Sequence, residues 1–150
     1  MSIEYDRTVM YRIVCLNSEV KDEYVGSTTD YVGRKRCHKS DCMNDKKSIF
    51  NSPLYACIRN NGGWANWKMM LIENFPCQNN VEKIKREKYW QDYYKPSLNI
   101  NTAYISPEEL KMQQKEKYLA NRVELIEKAK DYYQKNKVKI LARLKEQRTK

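Results

Sequence analysis

The chain has 150 residues, 41% of them hydrophobic, enough to bury one ordinary core and too few for two. Lys and Arg number 29 against 19 Asp and Glu, and this net charge of +10 points to a partner rich in negative charge, nucleic acid before an anionic membrane. No apolar run is long enough to span a bilayer, and residues 1–10 lack the apolar core of a signal peptide, so an intracellular chain with no membrane role is expected.

In chain order, Tyr11-Arg12-Ile13-Val14-Cys15-Leu16 is rich in β-formers, residues 17–22 are polar turn material, and 23–27 return as the second strand of a hairpin. Asp30 caps a helix over 31–39. Ser52-Pro53 places an N-cap before a proline at the first helical position, starting a short helix through Arg59 that Gly62-Gly63 ends. Residues 67–75 are apolar enough for a third, central strand. Asn80 precedes a helix over 81–94, and Pro96 blocks its continuation. The order β-β-α-α-β-α predicts an α+β fold, a small three-stranded, mainly antiparallel sheet flanked by helices.

Composition changes near Pro107. Residues 1–105 carry 16 basic and 12 acidic side chains and hold every Cys, Trp and Gly, whereas 106–150 carry 13 and 7 and none of those three types. This divides a mixed domain, 1–105, from a long basic helical tail, 106–150, suited to binding DNA or a partner. Ser106-Pro107-Glu108-Glu109 reads as a capping box that starts the tail helix. Within it, Asn121-Arg122-Val123-Glu124-Leu125-Ile126 recurs 15 residues on as Asn136-Lys137-Val138-Lys139-Ile140-Leu141, close to four helical turns, so both copies present nearly the same face. Leu119, Val123, Ile126, Tyr133, Ile140 and Leu144 follow three-four spacing, but Lys130 and Lys137 interrupt the stripe. Pairing with another helix and a solvated basic tail weigh equally, which leaves monomer and dimer both open.

Cys15, Cys37, Cys42, Cys57 and Cys77 are odd in number and show no Cys-x-x-Cys spacing, the pattern of reduced thiols. Cys37, His38 and Cys42 do not match the usual zinc spacings. More informative is Tyr24-Val25-Gly26-Ser27, with Arg34 eight residues after the glycine and His38, the one histidine of the chain, four beyond that. On a helix Arg34 and His38 leave the same face one turn apart. The arginine fork can hold two phosphate oxygens, and an imidazole moves protons near neutral pH. Gly26 lets a bulky group approach the backbone, and Tyr11 on the partner strand points the same way as Tyr24 if the register allows. Singly, each has a bland reading: Arg34 and His38 as a solvated helix face, the tyrosines as cross-strand packing, Trp64 and Trp67 as core or rim. Jointly, the cluster points to chemistry on a phosphate.

Tyr11, Tyr24-Val25-Gly26, Arg34 and His38, followed by Glu87 in Lys85-Arg86-Glu87-Lys88-Tyr89-Trp90 and Asn99 in Ser97-Leu98-Asn99-Ile100-Asn101, resemble the GIY-YIG endonuclease family over about residues 8–102. Asn60-Asn61-Gly62-Gly63 and the apolar run after it are similar to that family's helix-turn-strand segment. Val9-Met10-Tyr11 departs from Gly-Ile-Tyr by losing the glycine, and Ser27 stands where some relatives carry a lysine. The resemblance implies a DNA endonuclease in which Glu87 holds Mg²⁺ or Mn²⁺, Tyr11 orients or deprotonates the attacking water and Tyr24 bonds phosphate or water. It further implies that Arg34 stabilises the transition state, His38 assists proton transfer and Asn99 holds the geometry. By itself, Glu87 sits beside Ile84 as a carboxylate at a core edge, which is usually paired or metal-bound, and its bland reading is an ion pair with Lys83 in the less favourable orientation. Lys35, Arg36 and Lys39 flank the motif helix as DNA contacts. AT-rich codon bias, read from the many Lys, Asn, Ile and Tyr, resembles the genes of large DNA viruses or mobile elements. The competing expectations are a catalytically silent nucleic-acid-binding module and an interaction protein built around the tail helix.

Overall fold

The structure, a computed structural model, describes residues 4–148. It falls into two units, one ending at Tyr104 and the other starting at Ile105. The first holds the sheet. Strands β1 (Val9–Cys15), β2 (Glu23–Thr28) and β3 (Trp67–Asn74) pair antiparallel in the order β2-β1-β3. The α+β fold expected from the sequence is therefore the fold observed, with one correction: β1 is central and β3 lies at an edge. The reason is topological. A hairpin joins β1 and β2 directly, so a third strand can only add at an outer edge without breaking that ladder. The centre also shows in β1 itself, where neighbouring Met10 and Tyr11, on opposite faces, are both fully buried.

Helices α1 (Tyr31–Met43), α2 (Pro53–Asn60) and α3 (Asn80–Tyr94) flank this sheet. Asp30 caps α1 as expected, its carboxylate accepting from the Gly33 N–H at 2.9 Å. The helix runs four residues past the expected end at Lys39, because Cys42 continues the buried row that His38 begins. Ser52 precedes Pro53 at the start of α2, without a side-chain bond. After α2, Gly62 and Gly63 turn the chain with φ of 84° and 73°, a region open to glycine at little cost. The cap of α3 is Asn79, one residue before the expected Asn80. Its side chain accepts from the Glu82 N–H at 3.0 Å, and Glu82 reaches back to the Gln78 N–H at 2.9 Å, an exchange that only the earlier asparagine completes. At the other end Lys95 adopts the left-handed conformation (φ 50°) immediately before Pro96.

Tyr11 and Ile13 of β1, Trp67 and Met69 of β3, Cys42 of α1, and Leu54, Tyr55 and Ile58 of α2 form the core, closed by Leu98. Each fully buried aliphatic side chain contributes about 1.5–3 kcal/mol. The opposite face depends on a slip in register: Tyr11 pairs with Leu71 but Met10 with Glu73, leaving Ile72 without a partner. The slip carries Glu73 to Met10's side of the sheet. There Arg86 of α3 holds it through two hydrogen bonds (2.7 and 2.8 Å), with the Trp90 indole N–H at 2.9 Å.

The second unit is one helix, α4 (Pro107–Arg148), begun by the capping box: Ser106 Oγ accepts from the Glu109 N–H at 3.1 Å and Glu109 returns to the Ser106 N–H at 2.8 Å. Leu119, Val123, Ile126 and Tyr133 are exposed, Ile140 is half-buried, and the side chain of Leu144 lies outside the described residues. Among the described residues, no helix is long and apolar enough to cross a membrane.

Candidate active site

The hairpin register sets Tyr11 opposite Gly26 and Ile13 opposite Tyr24, so both tyrosines lie on one face as diagonal neighbours, their rings 6.3 Å apart. The register condition attached to Tyr11 is therefore met. Gly26 makes the arrangement sterically feasible, since a Cβ there would sit 2.6 Å from the Tyr11 hydroxyl and 2.9 Å from the Tyr24 ring. From α1 above the sheet, Arg34 donates through Nε to the Tyr11 hydroxyl at 3.2 Å, and His38 Nε2 faces the same oxygen at 2.9 Å. The one-turn spacing read from the sequence thus brings both groups to a single atom.

These groups border a cleft of about 320 Å³ lined in part by Tyr24, Arg34, His38, Tyr55, Glu87 and Asn99. Tyr11 is fully buried one layer behind it. Burial raises the pKa of both tyrosines, with Arg34 pulling it down in each. Burial also lowers His38, helped by the positive charge of Arg34 and opposed by Asp41, to about 4, so the ring is neutral at physiological pH. Trp64 stacks on the imidazole at 6.3 Å, and Trp67 lies in the core.

Glu87 reaches the cleft from α3. Its carboxylate accepts from the Ser27 hydroxyl at 2.5 Å and from the Gln91 amide at 3.5 Å. Burial raises its pKa, partly offset by the Ser27 bond and by Lys83. Among the described residues no cation lies within ion-pair distance, so the alternative pairing with Lys83 is not formed. A carboxylate in a cleft without a counter-ion fits a hard divalent cation. Among the described residues no cluster of three or more His, Cys, Asp or Glu assembles there, so such an ion would take the rest of its shell from water and substrate. Both ring nitrogens of His38 face phenols, which leaves none for zinc.

Asn99 acts on the backbone. Its side-chain oxygen accepts from the Val25 N–H at 2.9 Å, its amide donates to the Val25 carbonyl at 2.8 Å, and the Leu98 N–H bonds Glu23 O at 3.1 Å. This segment clasps the free edge of β2 between Tyr24 and Gly26. Lys35, Arg36 and Lys39 stand exposed on α1.

Two members escape sequence reading. Tyr55 of α2 places its hydroxyl 2.9 Å from His38 Nδ1 and donates to Asp41 at 3.1 Å, while Asp41 pairs with Lys47 at 2.6 Å. Burial raises the Asp41 pKa, but the bonds from Lys47 and Tyr55 outweigh it and hold the group ionised. One signal was present: Asp41 follows His38 by three residues, on the same helix face.

The family model described as the GIY-YIG catalytic domain matches residues 7–101. No curated protein matches the chain. No solved structure matches it either.

Proposed function

Because the chain belongs to the GIY-YIG catalytic-domain family, we propose that it is a divalent-metal-dependent endonuclease that hydrolyses DNA phosphodiester bonds, of the homing, mobile-element or viral type. The observation that carries this reading is the cleft where Tyr24, Arg34, His38 and Glu87 converge. The AT-rich bias favours the viral or mobile origin, and five free thiols suit a reducing compartment inside a cell.

Glu87 would hold Mg²⁺ or Mn²⁺, which when bound would withdraw charge from a phosphate oxygen and the leaving 3′ oxygen. The protein's own groups do the rest. Tyr24 faces the cleft, its ring against that of Tyr11, whose hydroxyl behind it is bonded to Arg34 Nε and faces His38 Nε2. A proton leaving the attacking water passes through the phenols to His38 Nε2, the neutral acceptor at 2.9 Å. Arg34 uses Nε on Tyr11 and keeps its terminal N–H groups for the oxygens that gain charge as the P–O3′ bond breaks. Ser27 orients the Glu87 carboxylate, and Asn99 fixes the strand that carries Tyr24. Lys35, Arg36 and Lys39 bind the phosphates on either side. The α4 unit adds charge for DNA or a second helix.

Purified protein incubated with supercoiled plasmid and Mg²⁺ or Mn²⁺ tests the proposal. Nicking or cutting lost in Glu87→Ala and Arg34→Ala, with gel-shift affinity retained, is the expected result. Wild-type protein that binds DNA but cuts no supercoiled, linear, flapped or branched form leaves a silent binding module.

A further inference from the structure

His38 has both ring nitrogens engaged, Nε2 by Tyr11 and Nδ1 by Tyr55, each at 2.9 Å. The direction of each bond follows from counting protons outward from Asp41. An ionised carboxylate can only accept, so the bond from Tyr55 at 3.1 Å uses that phenol's single proton. Were Tyr55 to donate to His38 instead, two oxygens bearing lone pairs would face each other at that distance. Tyr55 oxygen must therefore accept from Nδ1–H. A neutral imidazole carries one proton, so Nε2 is bare and accepts from Tyr11. Tyr11 in turn accepts from Arg34 Nε. Donation thus runs in one sense from Arg34 through Tyr11, His38 and Tyr55 to Asp41, and Lys47 donates into the same carboxylate from its other oxygen.

We propose that Asp41 and Tyr55 are positioning residues that fix the tautomer of His38, holding Nδ1 protonated so that the Nε2 lone pair faces Tyr11 as a proton acceptor. This rests on the nuclease reading for its catalytic meaning, while the tautomer itself is a property of the protein alone. With Nε2 bare, the ring can take a proton from Tyr11; in the opposite tautomer N–H would confront O–H and the transfer would stop. The imidazolium formed is then stabilised by Asp41, one phenol away, as a carboxylate steadies a catalytic histidine when bonded to it directly. The charged and titratable groups facing the ring are Arg34 and Asp41 of α1, Tyr11 of β1, Tyr24 of β2 and Tyr55 of α2.

Because the chain has one histidine, ¹⁵N-histidine labelling of tag-free, full-length protein yields a single set of imidazole signals. Long-range ¹H–¹⁵N spectra near pH 7 should show protonated Nδ1 and bare Nε2. Tyr55→Phe should populate the other tautomer and slow plasmid cleavage roughly 100-fold. Tyr31→Phe, which removes a phenol bonded to the Met69 carbonyl away from the ring, should change neither. Asp41→Asn keeps an acceptor for Tyr55 but removes the charge, so it should lower the His38 pKa, and it covers the case in which Tyr55→Phe does not fold. A wild-type ring protonated at Nε2 overturns the proposal, as does Tyr55→Phe with the wild-type tautomer and cleavage rate, or Asp41→Asn with the wild-type His38 pKa. Expected tautomers in a wild-type protein that cuts no DNA would sink the nuclease reading and leave the tautomer assignment standing.

Discussion

The Ser27 hydroxyl donates to a Glu87 carboxylate oxygen at 2.5 Å, joining the edge strand β2 to helix α3 across 60 positions of sequence. Glutamine at 87 would keep this bond through its amide oxygen and shed the cost of burying a charge. Glu87→Gln should therefore leave thermal stability unchanged or raised while cleavage falls about 100-fold or more, the loss expected when several kcal/mol of metal-derived stabilisation goes. Melting curves and plasmid nicking read the two effects separately. Wild-type cleavage by this variant would remove Glu87 from the chemistry.

Gly26 tests the packing of the two tyrosines. Alanine would bring a methyl to 2.6 Å from the Tyr11 hydroxyl and 2.8 Å from its Cζ, against a ring with no exposed surface to move into. Gly26→Ala should destabilise by about 1–3 kcal/mol and reduce cleavage, because Tyr11 cannot shift without leaving His38. Urea titration measures the first effect. A midpoint equal to that of wild type would show that the phenols have room to yield.

Protonation of His38 links pH to stability. Its folded pKa of about 4 lies below the unfolded value of 6.5, so the unfolded chain binds the proton more readily. The stability contributed by the neutral ring is complete above pH 6.5 and is lost as pH falls to about 4, a change of roughly 3 kcal/mol. Glu87, raised by burial, acts in the opposite sense as it protonates. Denaturant melts of wild type and His38→Gln at pH 7 and pH 4 cancel that second effect. Parallel pH dependence in the two proteins would contradict the buried neutral imidazole.

Asn99→Ala removes both bonds to Val25 and leaves a strand N–H and carbonyl unsatisfied, which should cost about 1–3 kcal/mol. Ser97→Ala, losing an exposed bond to Asp22 two residues away, should stay within about 0.5 kcal/mol of wild type. Equal midpoints for the two variants would mean that the clasp adds nothing.

Legibility followed the range of the interactions involved. Asp30 and the Ser106–Glu109 pair were readable because capping is settled within four residues. Asn79 and Asn80 offer the same chemistry one position apart, and only the reach of Glu82 decides between them. Arg34 and His38 were readable as one helix face, but that both meet the Tyr11 oxygen depends on a strand 23 positions away from Arg34. Tyr55 lies in what the sequence presents as an ordinary short helix, since nothing local marks its hydroxyl as the acceptor for Nδ1. Strand order was the clearest loss: apolar content suited 67–75 to a central place, whereas hairpin pairing put β1 there.

The clasp of Asn99 on Val25 also orders events in time. It spans 74 positions, and closing a loop of that length costs about 4 kcal/mol of chain entropy before any contact returns it. A growing chain that has reached residue 60 already contains Tyr11, Tyr24, Arg34 and His38, yet lacks Glu87 and the segment that straightens the edge of β2. The site is therefore completed late, when almost the whole first unit has left the ribosome, and an interrupted translation product would carry the tyrosines, arginine and histidine without the carboxylate of Glu87 or the clasp on the edge of β2.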